Sequence, residues 1–281
     1  DVTADDLRLA RREGFESSEH MKRYTTLGMA TDQGKVGNVI GLALLADALG
    51  QTIPETGITT FRPPYTPVTF GALAGRDAGD MLDPVRVTNI HDWHVSHGAE
   101  FENVGQWKRP WYYPQDGETM HEAVARECRA ARTAVTLLDA STLGKIEVVG
   151  PDAAKFLDLL YTNPFMKLGV GKLRYGIMCR EDGFIYDDGV VARIAEDRFH
   201  VTTTTGGAPR VLHHMEDYLQ TEFPDLKVWL TSTSEQWAVI AVQGPKAREI
   251  VEPFVEGIDL SGEAFPHMSY AEGAVCGVPA R

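Results

Sequence analysis

The alternation of apolar and polar residues divides the chain into a helical part and a longer part in which strands and helices alternate. Residues 1–50 follow a helical period, from a helix-start signal at Thr3 to a helix over 39–49 that ends at Gly50. Residues 51–90 show no period, and the prolines in the run 61–67 exclude a helix or a central strand, because proline removes backbone donors. We expect 51–90 to be an irregular, proline-rich linker that wraps over a surface or another subunit, with the domain boundary inside it.

Residues 91–281 alternate between strand-like runs with a period of two and amphipathic helical runs, which predicts an α+β fold. Predicted strands cover 134–138, 145–149, 174–179, 184–192, 198–203, 228–230, 237–242 and 274–280. Predicted helices cover 118–132, 151–160, 209–220 and 244–251. Gly-Pro follows a strand and opens a helix at both Gly150 and Gly244, which indicates a weak internal duplication.

Composition narrows the class of protein. The net charge of −13 opposes binding to nucleic acids or to anionic membranes, because both require a basic surface. The longest apolar run, residues 36–49, is too short to span a bilayer. Three scattered cysteines favour a reducing compartment, so we predict a cytoplasmic protein. Because Asp1 is not a methionine and Arg281 falls inside a strand-like run, we expect a fragment of a longer chain.

Asp187 and Asp188 lie in the predicted strand 184–192, directly after the turn residues 181–183 that give a strong hairpin signal. Side chains alternate along a strand, so the two carboxylates face opposite ways, and one of them can point into an apolar interior. A buried carboxylate needs hydrogen-bond donors or a cation, which makes this pair a candidate site. The alternative from the residues alone is a hairpin with two solvated aspartates.

Three further groups of polar residues have both a structural and a functional interpretation. The threonines at 202–205 offer hydroxyl groups to a heterocycle, or they only end a strand. The loop 28–35 fails the spacing of a phosphate loop. A basic, donor-rich patch in and before this loop would still suit a flavin or nucleotide phosphate, and the alternative is an ordinary polar loop; the patch consists of Lys22, Arg23, Thr25, Thr26, Gln33 and Lys35. The histidines at 91, 94 and 97 lack nearby cysteine or glutamate partners, so we predict no metal site.

Several short motifs follow residue 91, among them Tyr-Gly-Ile-Met-Cys at 175–179, Gly-Phe-Ile-Tyr-Asp-Asp at 183–188 and Ala-Val-Gln-Gly-Pro-Lys-Ala at 241–247. Together with the stretches 97–99, 111–113, 138–141, 150–153 and 160–163, they make this part resemble the aminomethyltransferase (glycine-cleavage T-protein) family. The resemblance implies a T-protein-like folate-binding domain over 91–281, in which Asp188 contacts tetrahydrofolate near its reacting nitrogens. It also implies folate contacts for Tyr175, Met178, Thr203 and Thr204, although ordinary T-proteins have asparagine at one of the two threonine positions.

A second set of motifs covers the rest of the chain: Lys-Arg-Tyr-Thr-Thr-Leu-Gly-Met at 22–29, Phe-Arg-Pro-Pro-Tyr-Thr-Pro-Val at 61–68, His-Asp-Trp-His at 91–94 and Gln-Trp-Lys-Arg-Pro-Trp-Tyr at 106–112. These motifs are similar to those of the α subunits of heterotetrameric sarcosine oxidases. Asp-Ala-Ser-Thr-Leu at 139–143 differs from the T-protein pattern Asp-Val-Ser-His-Met, and this difference also resembles the sarcosine oxidase α subunits. Related dehydrogenase subunits carry an iron–sulfur cysteine near Asp32, and its absence here argues against a cluster.

This second resemblance implies a part of sarcosine oxidase, which converts sarcosine to glycine, hydrogen peroxide and 5,10-methylenetetrahydrofolate. It implies β, γ and δ subunits as partners, FAD on the β subunit, FMN at the interface with β, and NAD bound upstream of Asp1. Lys22, Thr26 and Gln33 are the candidate flavin contacts. Asp188 is the candidate catalytic residue, either as an acid/base or as an electrostatic stabiliser.

The same resemblance implies that the folate pocket is incomplete in this sequence. The family's later folate-binding glutamate and arginine would lie beyond Arg281, so we expect the 91–281 domain to be truncated and the fragment alone to be inactive. Two alternatives stay open. One is a stand-alone aminomethyltransferase of glycine cleavage, and the other is a folate-binding module without catalytic activity.

Overall fold

In the computed structural model, which describes residues 2–29, 33–60, 66 and 68–281, the chain divides into two units, Asp1–Leu82 and Asp83–Arg281. The first unit is helical. Its helices are α1 (Ala4–Arg12), α2 (Ser18–Thr25), α3 (Gly37–Leu49), α4 (Ile53–Thr56) and α5 (Phe70–Ala74), followed by 3-10 turns over Arg76–Leu82. Most of the proline-rich run 61–67, which was expected to wrap over a surface, lies outside the described residues.

The helix start predicted at Thr3 is confirmed by a capping box. The Thr3 hydroxyl accepts a hydrogen bond from the Asp6 backbone N–H at 3.3 Å, and the Asp6 carboxylate accepts one from the Thr3 N–H at 2.7 Å. The apolar sides of α1, α2 and α3 then meet in a small core of Leu7, Ala10, Met21, Leu27 and Leu45. This core makes the first unit a structure of its own rather than an extension of the sheet domain.

The second unit combines helices with antiparallel strands, which confirms the α+β class. Its helices are α6 (His91–Ser96), α7 (Met120–Thr133), α8 (Ala153–Leu160), α9 (Ala208–Thr221) and α10 (Ala247–Val251), with 3-10 turns over Phe165–Lys167 and Glu252–Phe254. Its strands are β1 (Glu100–Val104), β2 (Trp107–Tyr112), β3 (Thr136–Asp139), β4 (Gly144–Val149), β5 (Lys172–Cys179), β6 (Ile185–Ala195), β7 (Arg198–Thr203), β8 (Trp229–Ser232), β9 (Ile240–Gln243), β10 (Val255–Glu256), β11 (Gly273–Val275) and β12 (Val278–Ala280).

Five of these strands form the central sheet, in the order β5-β6-β7-β4-β8, and each neighbouring pair is antiparallel. Smaller sheets pair β1 with β2, β3 with β9, and β10, β11 and β12 with one another. Among the helices that the structure describes, none is both long enough and apolar enough to cross a membrane.

One face of the central sheet is covered by α8 and α9 and holds the core of the unit. Apolar side chains at every second strand position meet the apolar stripes of the two helices there. The core consists of Ile146, Val148, Ala153, Phe156, Leu157, Leu160, Tyr161, Phe165, Leu168, Met178, Val191, Phe199, Val201, Val211 and Met215. We call this side of the sheet the core face.

The opposite side of the sheet, which we call the polar face, carries charged and hydroxyl side chains. By strand register it presents Lys145, Glu147, Tyr175, Asp188, His200 and Thr202. Glu147 is buried and lies between three cationic or titratable groups: Arg198 Nε at 2.7 Å, Arg281 Nη1 at 2.8 Å and His200 Nδ1 at 2.9 Å. Burial acts to raise the pKa of Glu147, but hydrogen bonds from these three groups lower it to about 2.

Lys145 is the most deeply buried charged residue of the polar face. Its Nζ donates to the carbonyl oxygens of Ser141 at 2.7 Å and Ser234 at 3.0 Å, and burial lowers its pKa to about 8. The ammonium group thus ties β4 to the chain segments that follow β3 and β8.

The two Gly-Pro turns predicted from the sequence have the same local geometry. Gly150 and Gly244 have φ angles of 139° and 127°, in the region that favours glycine. A Cβ added at Gly150 would lie 2.2 Å from the Lys227 carbonyl oxygen, and one at Gly244 would lie 2.4 Å from that of Ala134. Each glycine therefore lets a strand end pass close to a neighbouring backbone before a helix begins, which supports the duplicated strand–helix unit.

One predicted strand is wrong, and several elements were not predicted, including α4 and α5 inside the region 51–90 that was expected to be irregular. The run 274–280 is a hairpin of β11 and β12, because Cys276 and Gly277 adopt positive φ angles of 50° and 77° and reverse the chain. The helix α6 and the hairpin of β1 and β2 carry mixed polar and aromatic residues without a clear period, so the sequence pattern did not reveal them.

The packing of α8 predicts a large difference between two neighbouring residues. Phe156 is fully buried against the sheet, whereas Leu159 on the same helix is 49% exposed. We expect Phe156→Ala to lower the free energy of unfolding by about 3–5 kcal/mol and Leu159→Ala to lower it by less than about 1 kcal/mol. Urea denaturation followed by circular dichroism measures both, and similar losses in the two variants would contradict the assigned core.

The buried Glu147 predicts a pH-dependent contribution to stability. Because its pKa is lower in the folded chain than the ordinary value of 4.5, its contribution is complete above that value and is lost as the pH falls towards 2. We expect Glu147→Gln to cost about 3 kcal/mol of unfolding free energy at pH 7, and less at pH 3.

Glu196→Gln is the matched control, because Glu196 also pairs with an arginine, Arg193, but is 85% exposed. We expect the control to change the unfolding free energy by less than about 0.5 kcal/mol. A cost of Glu147→Gln that stays constant from pH 7 to pH 3 would contradict the burial and pairing described above.

Candidate functional site

The hairpin of β5 and β6 determines where the aspartate pair points. In its register Met178 faces Asp187, Ile177 faces Asp188, and Tyr175 faces Val190. Because side chains alternate along a strand, Asp187 joins Met178 on the core face, and Asp188 joins Ile177 on the polar face. The predicted opposite orientation of the two carboxylates is therefore confirmed.

Asp188 and Tyr175 meet on the polar face. The Tyr175 hydroxyl donates a hydrogen bond to the Asp188 carboxylate, and the tyrosine ring is 48% exposed. Asp188 is half-buried, as are Ile177 and Val190 beside it. The result is an open patch with one carboxylate, one phenol and two apolar side chains, which suits a flat molecule that carries N–H donors.

Asp187 is 5% exposed and is satisfied by hydrogen-bond donors. Its Oδ1 accepts from the backbone N–H of Asp188 at 2.7 Å and from that of Thr204 at 3.1 Å. Its Oδ2 accepts from the Thr204 hydroxyl at 3.0 Å. In turn, the Thr204 hydroxyl accepts from the Gly207 N–H at 3.2 Å, so the turn before α9 is bound to β6 through this carboxylate.

Sequence reasoning missed this role of Asp187. A usable signal was present, because a threonine that is followed three residues later by glycine can close a turn through its hydroxyl. The same threonine hydroxyl then donates a hydrogen bond to the buried Asp187 carboxylate. The pairing of Asp187 with Thr204 depends on the alignment of β6 with β7, which the sequence pattern alone did not fix.

Tyr161 is a second buried polar residue beside the aspartates. It follows α8, packs edge-on against Phe165 and forms an isolated bridge with Met178. Burial raises the pKa of its hydroxyl above the usual range, and the negative charges of Asp187 and Asp188 act in the same direction. The phenol is therefore neutral at physiological pH and can donate but not carry a charge.

The structure brings together only some of the residues predicted to contact folate. Tyr175 and Asp188 share the polar face. Met178 is 0% exposed in the core, and Thr203 is buried where its hydroxyl donates to the Thr204 carbonyl at 3.0 Å. Thr204 is engaged with Asp187, so these three residues lie on the far side of the strands from Asp188.

The predicted flavin contacts all lie in the first unit. Lys22 is buried, and its Nζ donates to the Glu19 carboxylate at 3.0 Å and to the Thr60 carbonyl oxygen. Thr26 ends α2 with a φ of 60°, and Gln33 has a φ of 52°, so both lie in left-handed turns. The Glu19 carboxylate thus already neutralises the charge of the Lys22 ammonium. As described, Lys22, Thr26 and Gln33 do not form a preformed phosphate-binding site.

The histidines have partners other than a metal. His94 is buried, with Nε2 at 2.9 Å from Asp139 Oδ2 and Nδ1 against the Tyr113 hydroxyl, and so it joins α6 to the end of β3. His97 stacks on Trp93 with ring centroids 4.0 Å apart. Within the described residues, no group of three or more histidine, cysteine or acidic side chains could hold a metal ion. The three cysteines are free.

A cavity of about 280 Å³ lies elsewhere in the second unit. Arg86, Trp107, Ser141, Ser234, Glu235 and Trp237 are among the residues that line it. Tyr175 and Asp188 are not among its lining residues, so this cavity is separate from the patch around Asp188.

Comparison with known proteins shows which relatives share these sequences. The sarcosine oxidase subunit alpha of Corynebacterium sp. (strain U-96) is 55% identical over 273 residues, and that of Rhizobium meliloti (strain 1021) is 50% identical over 278 residues. These alignments cover 97% and 99% of this chain but 28% of each relative, so the chain spans less than a third of their length. The predicted resemblance to these α subunits is confirmed.

A solved structure shows the fold of the second unit. Glycine cleavage system aminomethyltransferase T from Bartonella henselae aligns with a TM-score of 0.56 and 24% identity, over 66% of this chain and 46% of that one. This likeness confirms the T-protein-like fold. Residues 1–76 match the family described as the sarcosine oxidase A3 domain. Residues 90–281, more than half of the chain, match the GCVT N-terminal domain family, and the chain belongs to that family.

Proposed function

We propose that this chain is part of a sarcosine oxidase, and that its GCVT domain binds tetrahydrofolate and captures the one-carbon unit taken from sarcosine. The observation that carries the proposal is the half-buried Asp188 on the polar face, in contact with the Tyr175 hydroxyl. Relatives at 50–55% identity over nearly the whole chain bear the name of a sarcosine oxidase subunit, which supports the choice of reaction.

The chemistry of the patch fits a reduced pterin. A pterin ring is flat and displays N–H donors along its edge, which an ionised carboxylate such as Asp188 accepts well. Ile177 and Val190 offer apolar surface for the ring, and the exposed ring of Tyr175 lies next to them. We propose Tyr175 and Asp188 as direct contacts. Met178, Thr203 and Thr204 stay predicted contacts. Their burial and hydrogen bonds favour a structural role, in which they stabilise the strands that carry Asp188.

Asp188 also fits the charge changes of the reaction. Bound tetrahydrofolate would supply the nucleophilic nitrogens that take up a one-carbon unit at the oxidation level of formaldehyde. The uptake passes through cationic species, and a fixed carboxylate stabilises positive charge or accepts a proton from nitrogen. Asp188 would act in one of these two ways, with the Tyr175 hydroxyl holding the carboxylate in place when no ligand competes for it.

The remaining cofactors and partners belong to the proposed whole enzyme. We propose that FAD on a β subunit would supply the oxidation of sarcosine to an imine, with oxygen as the final electron acceptor and hydrogen peroxide as the product. Transfer of the imine's one-carbon unit to tetrahydrofolate would then release glycine. FMN at the interface with β, NAD in an upstream domain, the γ and δ subunits and a cytoplasmic location stay predictions. The contacts of Lys22, Thr26 and Gln33 with FMN also stay predictions, and we derive no step from them.

A stand-alone aminomethyltransferase is the second candidate function. Its support is the T-protein-like fold of the second unit. The match of residues 1–76 to the sarcosine oxidase A3 domain favours the oxidase. Copurification with flavin-bearing subunits separates the two, because an aminomethyltransferase or a non-catalytic folate-binding module needs none.

The role of Asp188 predicts a separation of amine oxidation from folate coupling. In the full-length enzyme, we expect Asp188→Asn to reduce the yield of 5,10-methylenetetrahydrofolate per sarcosine oxidised by about a hundredfold, because the amide carries no charge. Hydrogen peroxide release should continue, since the amine is oxidised elsewhere. Paired assays of peroxide and methylenetetrahydrofolate measure the ratio.

Asp182→Asn provides the matched control for charge removal in the same hairpin. Asp182 lies in the turn, where its carboxylate accepts from the Phe184 N–H at 3.0 Å. We expect this control to keep the wild-type coupling ratio. Unchanged coupling in Asp188→Asn would refute the proposed role.

Tyr175 predicts a smaller effect on folate affinity. Tyr175→Phe keeps the ring and removes the hydroxyl that donates to Asp188, so we expect the KM for tetrahydrofolate to rise about threefold to tenfold. Tyr270→Phe is the control, because the Tyr270 hydroxyl also donates to a carboxylate, that of Glu272, at 2.5 Å. Equal increases in KM for both variants would show that the Tyr175 contact has no special part in folate binding.

A further inference from the structure

We infer that Asp187 is a positioning residue, whose buried carboxylate fixes the backbone of Asp188 and so directs the Asp188 side chain towards the reacting ligand. This inference rests on the proposed function of Asp188. It gives a functional role to Asp187, whose side chain lies on the core face and not on the polar face.

The main-chain ladder between β6 and β7 does not reach the aspartates. Its register runs from Ala195 and Arg198 up to Val191 and Val201, and no backbone pair follows beyond that point. The part of β6 that carries Asp188 is therefore held to β5 on one side by main-chain bonds, but it needs other bonds on the side of β7.

Two side chains replace the missing ladder. The Thr202 hydroxyl accepts from the Val190 N–H at 2.8 Å and donates to the Val190 carbonyl at 2.9 Å. Further along, Asp187 binds the backbone N–H and the hydroxyl of Thr204, at 3.1 and 3.0 Å. The strand segment 187–190 is thus fixed to β7 at both of its ends by side-chain hydrogen bonds.

Asp187 also binds the peptide that leads into Asp188. Its Oδ1 accepts from the Asp188 N–H at 2.7 Å, which fixes the orientation of that peptide plane. Because φ of Asp188 starts at this nitrogen, the direction of its side chain depends on the same bond. A rotation of the peptide would move the Asp188 carboxylate relative to Tyr175.

The site is shaped for a carboxylate. All three groups that contact Asp187 are donors, and an ionised carboxylate is an acceptor only. None of the described residues forms an ion pair with it, so these donors alone compensate the buried charge. Gly207 lies against it, and a Cβ added there would come within 1.8 Å of Oδ2. An asparagine that keeps its Oδ1 on the two backbone N–H groups would direct its NH2 group at the Thr204 hydroxyl, so that this hydroxyl could no longer donate to a charged acceptor.

The test is a double-mutant cycle in the full-length enzyme, with methylenetetrahydrofolate formed per sarcosine oxidised as the readout. We expect Asp187→Asn to lower this ratio about tenfold in the wild-type background, because the Asp188 carboxylate is misdirected. In the Asp188→Asn background it should cause no further loss, since there is no carboxylate left to direct.

A purely structural residue would give a different pattern, with an equal further loss in both backgrounds. That additive result would overturn the inference, and so would an unchanged ratio for Asp187→Asn alone. The proposed function fails separately, if Asp188→Asn by itself leaves the ratio unchanged.

A second pair of variants keeps the inference testable where Asp187→Asn does not fold. Thr204→Val removes the hydroxyl that binds Asp187 at nearly constant volume, and Thr204→Ser keeps it. We expect the ratio to be about threefold lower in the valine variant than in the serine variant, since one hydrogen bond to a charged group separates them. Equal ratios in the two variants would contradict the role of this bond.

Discussion

A carboxylate that is buried without a cationic partner among the described residues constrains the architecture around the candidate site. Asp187 lies on the core face of the sheet, where a charge is tolerated only if donors surround it. The donors come from its own strand and from the turn before α9, so the end of β7, the start of α9 and the beginning of β6 must converge on one point. The neighbouring Asp188 then has to emerge on the other face.

The central sheet divides its two faces between packing and chemistry. The core face is closed by α8 and α9 and supplies the apolar burial that stabilises the unit. The polar face holds side chains whose charges are balanced in different ways: Glu147 by arginine and histidine, Lys145 by carbonyl oxygens, and Asp188 by a single phenol. Asp188 has the fewest partners of the three, which leaves it the capacity to bind a ligand.

Much of this arrangement could be predicted from the sequence, and the reasons differ between elements. The period of two in 184–192 correctly predicted that the aspartates face opposite ways, because alternation is a property of any strand. It could not predict which aspartate faces the core, since that depends on the register with β7 and on the position of α9. The resemblance to T-proteins selected Asp188, and the geometry then explained what Asp187 does.

Other elements were missed for two different reasons. The hairpin of β1 and β2 is local, but its mixed polar and aromatic residues show no clear period. The contact of His94 with Asp139 joins residues far apart in sequence, and no periodic pattern signals such a pair. The strand predicted over 274–280 failed for the opposite reason, since its residues favour strand while Cys276 and Gly277 turn the chain. What determines these elements is therefore either a tertiary contact or the conformation of a single turn, and neither appears as a periodic pattern in the sequence.

A crystal structure of the full-length protein with a bound reduced folate would test the central claim most directly. The account predicts the pterin ring on the polar face, over Ile177 and Val190, with its N–H groups within hydrogen-bond distance of the Asp188 carboxylate. Asp187 should keep its bonds to Thr204 in that complex. A folate bound elsewhere, with Asp188 still paired only to Tyr175, would contradict the account.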